Sequence, residues 1–385
     1  MRKKSRREER ANLSLRRLDK MAGIPLVLAL SLLRRRRPLA LARPKSIVVL
    51  CFGAIGDTLL ATVLLNALSL HYPEARIHIC ASAANAGALP LLGPRHASAA
   101  FPIGNVAAII RHLRNLKADI LIDTTQWARV GALFSLLSGA KRTIGFDTPG
   151  QYRGFAYDHP VPHRNDRHET ENFLALARVL APSSAAEPSL HVPDTPPRHI
   201  DLNDFPQLDK IVYLHMFASG VSARLKEWPE SHWRDLALAC REAGFAVCFT
   251  GSPQDGPRVK KFLQEQVPAE FLHNGDVRSL AGLLSLPELA WLLRRGAGAV
   301  SVNTGILHLM ALCGLPTVDL HGPTNPLRWG GVGPNTVSLL APGKDTGYLN
   351  LGFEIPEDAT PSLHRLTVED VLYALRGLGL TAFSL

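Results

Sequence analysis

The sequence has few of the patterns that identify a secreted, membrane-spanning or common nucleotide-binding protein. Its five cysteines form no CxxC pair, which excludes a zinc ribbon or disulfide framework and predicts buried free thiols in a reducing compartment. They are Cys51, Cys80, Cys240, Cys248 and Cys313. The apolar run near the N-terminus, Gly23 to Leu33, is roughly half as long as a membrane-spanning helix. No GxGxxG fingerprint, P-loop, GxSxG motif or catalytic Cys/His pattern is present.

The positive charge of the chain is concentrated at its N-terminus. The formal net charge is +10, but residues 1–45 carry +12 and the other 340 residues together carry −2. A nearly neutral body argues against nucleic acid as a partner. The basic arm indicates an anionic surface, and lipid suits its apolar content better.

This arm, residues 1–45, is predicted to form a helix lying on an anionic membrane surface. Arginines flank a set of apolar side chains, a combination that binds anionic lipid through two weak signals. The apolar set is Leu13, Leu15, Leu18, Met21, Ile24 and Val27. A cleaved signal peptide is disfavoured because four arginines, residues 34–37, follow the apolar run directly. A partly disordered tail and a helix packed on the body are the alternatives.

Length and composition predict two domains after the arm. The chain has 385 residues, of which 46% are hydrophobic, enough for two cores of moderate size. Residues 46–200 and 207–345 each alternate apolar strands with helices, which predicts two doubly wound α/β domains facing a ligand cleft. Residues 182–208 are rich in proline and predict a peripheral strand and a linker. Residues 346–385 predict a C-terminal segment with a final helix.

A turn of small residues follows the first predicted strand of the body. Gly53 and Gly56 allow another molecule to approach the backbone, and the helix start that follows favours an anion. Asp57 stands at the same helix start. It can remove a proton from an attacking hydroxyl, or it can simply cap the helix.

Three turns in the second domain carry groups suited to an anionic ligand. A lysine on the first can reach a phosphate, the second can line a ribose or base, and the third opens a helix whose amides form a phosphate seat. The alternative for each segment is an ordinary turn whose polar side chains are solvated and bind no ligand. The candidate residues are Ser219, Lys226, Thr250, Gly251, Asp255, Asn303, Thr304, Gly305, His308 and, from the following strand end, Thr324.

Three histidines lie within ten residues of one another, at positions 159, 163 and 168, beside two aspartates. They fall in a predicted loop rather than on one helix face, so the spacing does not match a metal site. The sequence therefore predicts no bound metal and no cofactor.

Three segments, in this order and spacing, resemble the heptosyltransferase family (glycosyltransferase family 9), the ADP-heptose:lipopolysaccharide transferases and their relatives. Residues 46–77 resemble the opening strand with its glycine–aspartate turn. Residues 224–237 resemble the lysine–tryptophan–proline segment, and residues 301–326 the (D/N)(T/S)G..H block with its GPT-P turn. The resemblance covers roughly residues 46–345.

The resemblance implies a GT-B fold, with two Rossmann-like domains and the nucleotide-sugar donor held by the C-terminal one. It implies metal-independent, inverting transfer of heptose or a related sugar, with ADP-heptose as the first expected donor. The acceptor would be a lipopolysaccharide-type or other glycolipid at the inner face of a bacterial cytoplasmic membrane. By the same resemblance Asp57 is the general base, Lys226 binds the diphosphate, and Asn303, Thr304, Gly305 and His308 form the donor block.

One position departs from the family pattern. Asn303 stands where the best-known members have aspartate, which removes a charge and puts heptose itself in question. Asp255 is a candidate for the ribose contact. Two alternatives are a GT-B nucleotide-sugar epimerase or hydrolase, and a non-catalytic membrane-associated nucleotide-sugar-binding protein. Asp57 and Lys226 argue against the non-catalytic binding protein. The sequence does not indicate an oligomeric state.

Overall fold

The predicted alternation of strands and helices forms two parallel sheets in a computed structural model. The model describes residues 13–33, 36–38, 43–198, 200–205, 207–220 and 223–383. The chain divides into two compact units between His191 and Val192, and unit 1 and unit 2 are described separately below. Much of the predicted arm, residues 1–12, 34–35 and 39–42, lies outside the described residues, as do the side chains of Leu13 and Leu15.

Unit 1 is a six-stranded parallel sheet with helices on its faces. Its strands are β1 (Ser46–Cys51), β2 (Arg76–Ser82), β3 (Ala97–Phe101), β4 (Ile120–Asp123), β5 (Arg142–Asp147) and β6 (His159–Pro162). Its helices are α1 (Leu13–Leu32), α2 (Ile55–Leu60), α3 (Thr62–His71), α4 (Val106–Asn115), α5 (Arg129–Leu137) and α6 (Glu169–Arg178). The strand order is β3-β2-β1-β4-β5-β6. The central strands are continuous apolar runs because helices cover both faces of the sheet.

Unit 2 repeats this architecture. Its strands are β7 (Ile211–His215), β8 (Ala246–Phe249), β9 (Val277–Ser279), β10 (Gly298–Val302), β11 (Thr317–His321) and β12 (Thr336–Leu340). Its helices are α7 (Glu230–Glu242), α8 (Gly256–Gln266), α9 (Ala269–His273), α10 (Leu286–Leu293), α11 (Gly305–Leu312), α12 (Pro326–Trp329) and α13 (Val368–Gly377). The strand order is β12-β11-β10-β7-β8-β9.

Both sheets reverse their strand order after three strands, between β1 and β4 in unit 1 and between β7 and β10 in unit 2. This is the doubly wound arrangement, in which ligands bind beyond the carboxyl ends of the strands at the reversal. The predicted fold class is confirmed.

The peripheral strand predicted within residues 182–208 is wrong. The described part of this segment contains a short 3₁₀ turn, Leu202–Asp204, and no strand. Proline recurs through it and cannot donate a backbone hydrogen bond to a neighbouring strand, which is the physical reason.

The prediction of buried free thiols is confirmed for four of the five cysteines. All five are free; Cys313 is half-buried and the others are buried. Burial raises the pKa of each thiol to about 12. They are therefore protonated at neutral pH and are poor nucleophiles.

Helix α1 of the arm packs against α5, which matches the alternative of a helix packed on the body. The Asp19 carboxylate pairs with the buried Arg129 guanidinium at 2.9 Å. Gly23 permits the close approach, because a Cβ there would lie 2.9 Å from the Cβ of Arg129. Val27 is fully buried against α5, so the prediction that it offers apolar surface to a membrane is wrong. Helical periodicity places it on the same face as Asp19 and Gly23.

Among the helices of the described residues, none is both long enough and apolar enough to cross a bilayer.

Candidate functional site

Asp57 lies in the first turn of α2, directly after β1. Ala54 precedes the helix, and its backbone N–H donates to Asp57 Oδ2 at 2.7 Å. The side chain thus satisfies one of the unpaired donors at the helix start, so the capping contact weighed in the sequence analysis is present. The hydrogen bond from Ala54 uses one acceptor position on Oδ2, and Asp57 is half-buried. Capping and proton abstraction are therefore compatible roles for this group.

Gly53 leaves the space into which the Asp57 side chain folds back. A Cβ at position 53 would lie 2.8 Å from Asp57 Oδ2 and 2.9 Å from its Cβ, closer than real Cβ contacts. Gly56 is buried within the same helical turn. The close approach of the Asp57 side chain therefore explains the glycine at position 53 without a ligand.

The second oxygen of Asp57 meets a residue that the sequence analysis did not identify. Gln126 Nε2 donates to Asp57 Oδ1 at 2.9 Å and to Glu169 Oε1 at 3.0 Å. Gln126 follows β4, and β1 and β4 are neighbours at the reversal of the strand order, which brings the two side chains together. The only sequence signal is a polar run, Thr-Thr-Gln, directly after a buried strand.

Glu169, the first residue of α6, is fully buried and is held by two further side chains. His163 Nε2 lies 3.1 Å from its Oε1, and Asn172 Nδ2 donates to its Oε2 at 3.2 Å. His168 instead caps α6, since its Nδ1 accepts from the Thr170 N–H. His163 and His168 thus have separate structural partners. In the part of the chain that the structure describes, no cluster of three or more His, Cys, Asp or Glu is arranged to hold a metal ion.

The predicted residues of unit 2 all lie beyond the carboxyl ends of four adjacent strands, in the order β11, β10, β7, β8. Ser219 follows β7 and is exposed. Lys226 ends a 3₁₀ turn, Ala223–Lys226, and is half-buried. The structure therefore brings the predicted phosphate lysine and the predicted phosphate turn to the same side of one sheet, at its reversal point.

The turn from β10 into α11 is fixed by side chains of the motif itself. Thr304 caps α11, accepting from the Ile306 N–H at 3.2 Å, and Gly305 begins the helix. Asn303 Nδ2 donates to the carbonyl of Trp329 at 2.9 Å, which ties this turn to the end of α12. His308 is buried one turn along the helix. The helix thus begins with half-buried small residues, a suitable place for an anion.

Two of the three candidate residues that follow β8 are buried, unlike Ser219 and Lys226. Thr250 Oγ1 contacts His215 Nδ1 at 2.9 Å, and burial lowers the pKa of His215 to about 4, so this imidazole is neutral at pH 7. Asp255 precedes α8, and its Oδ2 accepts from the Ser252 N–H at 3.0 Å. Gly251, between them, is half-buried.

Thr324 is also buried, and its Oγ1 lies 2.9 Å from His321 Nδ1. His321 Nε2 in turn lies 2.6 Å from Asp319 Oδ2. Thr250, Asp255 and Thr324 thus support the turns from inside, whereas Ser219, Lys226, Thr304 and Gly305 are the more accessible groups.

Comparison with known proteins gives a family match and structural neighbours. A family model described as glycosyltransferase family 9 (heptosyltransferase) matches residues 106–346, a range that includes Lys226 and Asn303 but not Asp57. Lipopolysaccharide heptosyltransferase 1 of Escherichia coli is 32% identical over 125 residues, 32% of this chain and 36% of that protein. The chain thus matches about a third of the length of the first curated relatives.

Two solved structures from Escherichia coli share the fold. The ADP-heptose lps heptosyltransferase II superposes with a TM-score of 0.70 at 22% identity, covering 88% of this chain and all of that one. Heptosyltransferase WaaC with ADP gives a TM-score of 0.63 at 19% identity, covering 87% and 100%. At these identities the likeness concerns the fold.

Proposed function

The chain belongs to glycosyltransferase family 9 (heptosyltransferase), and we propose that it is a glycosyltransferase of inverting, metal-independent mechanism. It moves heptose or a related sugar from a nucleotide-diphosphate sugar to a lipopolysaccharide-type or other glycolipid acceptor. The observation that carries the proposal is the position of Lys226 and the start of α11. Both lie beyond the carboxyl ends of β7 and β10, where the strand order of unit 2 reverses.

In this proposal the diphosphate of the donor binds between Lys226 and the first turn of α11. The amides at the start of the helix and its dipole favour negative charge, and the lysine supplies a compact cation. A solved relative is described with ADP, so an ADP-sugar is the first donor that we propose. Asn303 places one carboxylate fewer beside this anion than an aspartate would.

The transfer step follows from these assignments. Asp57 removes the proton from an acceptor hydroxyl as its oxygen attacks the anomeric carbon, and the bond from that carbon to the diphosphate breaks. One direct displacement inverts the anomeric configuration. Lys226 and the α11 amides stabilise the charge that develops on the leaving nucleotide diphosphate.

The donor assignment is tested by thermal unfolding with a panel of nucleotide sugars. A ligand that binds only the folded state raises the apparent stability, by about 2.7 kcal/mol at a hundredfold excess over Kd. We expect ADP-sugars to raise Tm, and Lys226→Met to abolish the rise. Lys210→Met is the matched control, because Lys210 is exposed and precedes β7, at the opposite end of the strand. No response to any ADP-sugar contradicts the donor assignment.

Product release separates the alternative activities. A transferase releases nucleotide only when an acceptor is added, whereas a hydrolase releases it without one and an epimerase converts the nucleotide sugar to its epimer. A binding protein releases none in either case.

We also propose that α1 holds the protein on an anionic membrane surface, at the cytoplasmic face. Its side facing away from α5 is apolar and exposed: Leu18 is 60% exposed, Met21 77% and Leu32 87%, and Leu33, the residue after the helix, is 86% exposed. Exposed cations precede and follow these apolar residues in the sequence. They include Arg17, Lys20, Arg36 and Arg37. Apolar side chains beside basic clusters are the two signals that bind anionic lipid together.

The membrane proposal predicts that Leu32→Gln/Leu33→Gln weakens binding to vesicles containing phosphatidylglycerol. Burying a leucine contributes about 1.5 kcal/mol or more, so the pair should change partitioning roughly 100-fold or more in co-sedimentation. Substitution is preferable to deletion of α1, which would uncover the buried surface around Val27 and remove the partner of Arg129. Leu70→Gln/Leu327→Gln, at equally exposed sites elsewhere, is the control. Equal loss in both double variants contradicts a specific role for α1.

A further inference from the structure

We propose that Gln126 is a positioning residue for the transfer reaction: its amide orients the Asp57 carboxylate, and the buried Glu169 fixes the orientation of that amide. This inference rests on the proposed role of Asp57 as general base. It concerns residues of unit 1 alone.

The amide of Gln126 bridges two carboxylates. Its Nε2 lies 2.9 Å from Asp57 Oδ1 and 3.0 Å from Glu169 Oε1, so both amide hydrogens have an acceptor. Ionised carboxylates only accept hydrogen bonds, so the nitrogen of the amide, and not its oxygen, must face them. This chemistry excludes the flipped orientation of the side chain.

Two donors from different parts of the chain fix the Asp57 carboxylate. Oδ2 accepts from the Ala54 N–H, before α2, and Oδ1 accepts from Gln126, after β4. Together they restrict rotation about the Cβ–Cγ bond. A neutral amide does this without a formal positive charge, which would make the carboxylate a weaker base.

Gln126 is itself held at both ends. The hydroxyl of Thr148 donates to the Gln126 backbone carbonyl, while Glu169 accepts from the side chain. Since the Thr148 hydrogen is used in this way, Thr148 Oγ1 accepts from His163 Nδ1 at 3.1 Å.

His163 Nε2 lies 3.1 Å from Glu169 Oε1, and Asn172 Nδ2 donates to Glu169 Oε2 at 3.2 Å. The buried carboxylate that holds the Gln126 amide is therefore itself held by hydrogen bonds.

The test is Gln126→Met, which keeps the length of the side chain and removes its donor. We expect kcat for sugar transfer to fall 10- to 100-fold, because a displaced catalytic group costs rate rather than binding. KM for donor and acceptor, and the thermal shift with an ADP-sugar, should be unchanged. Tyr157→Phe is the control, since it removes buried hydrogen bonds of the same unit that do not involve Asp57. It should lower stability and leave kcat unchanged.

A double-mutant cycle separates positioning from a general structural role. If Gln126 acts through Asp57, then adding Gln126→Met to Asp57→Asn should lower the residual rate little further. An equal fold-loss in both backgrounds, or a wild-type kcat for Gln126→Met, overturns the inference. If Asp57→Asn itself transfers sugar at the wild-type rate, the proposed base is wrong, and that result is distinct from failure of the positioning role.

Discussion

Asp57→Asn should lower the rate of sugar transfer about 10²- to 10⁴-fold, the range expected when a general base is removed. Asparagine has the same shape as aspartate but cannot take up the proton of the acceptor hydroxyl. Donor binding should be nearly unchanged, because Lys226 and the start of α11 belong to unit 2. The measurements are single-turnover transfer and calorimetric titration with an ADP-sugar.

The control for this variant is Asp370→Asn in α13. Asp370 occupies the same position in its helix as Asp57 does in α2, and its Oδ2 accepts from the backbone N–H of Thr367 at 2.9 Å. The asparagine oxygen can still accept this hydrogen bond, so the substitution mainly removes a charge that the helix dipole favours, worth about 0.3–1 kcal/mol. Asp370→Asn should therefore show the stability cost of losing a carboxylate in the first helical turn without the loss of rate. A wild-type rate for Asp57→Asn would leave that side chain with the capping role alone.

The sequence predicts the fold where each strand carries its own signal. β1, β4 and β10 are apolar runs that are buried along most of their length, and the turns after them are rich in small or polar residues. β3 and β6 carry little such signal, since one is mostly alanine and mostly exposed, and the other is His-Pro-Val-Pro. These two pair with β2 and β5 through the sheet, so their conformation comes from tertiary context.

The site is predictable only where it is continuous in sequence. The segments around Asp57, Lys226 and Asn303 are short motifs at strand ends. Gln126 contacts Asp57 and Glu169 across separations of 69 and 43 residues, and no local pattern encodes those contacts.

Whether a polar side chain at a strand end faces outward is also not encoded locally. Thr250 and Thr324 follow strands of unit 2 as the motifs predict, yet each contacts a buried histidine at the end of a strand. Their roles in donor binding stay predictions.

Arg153→Met should destabilise unit 1 by about 3–5 kcal/mol, the usual cost of leaving a buried charge without its partner. The Arg153 guanidinium lies 2.8 Å from Asp123 Oδ2, and both side chains are fully buried. Tyr157 donates to the same oxygen at 2.7 Å, and the Thr125 N–H donates to Oδ1 at 2.8 Å. These neutral donors remain in the variant, but they do not balance the charge. Urea unfolding gives the free-energy change.

Two further variants test whether the stability loss of Arg153→Met comes from the burial of the charged pair. Arg164→Met removes the same side chain from an exposed pair with Asp166, and it should cost much less stability because water screens an exposed ion pair. Asp123→Asn/Arg153→Met removes both buried charges and should recover much of the stability that Arg153→Met loses. Equal losses for Arg153→Met and Arg164→Met would show that the buried pair adds nothing.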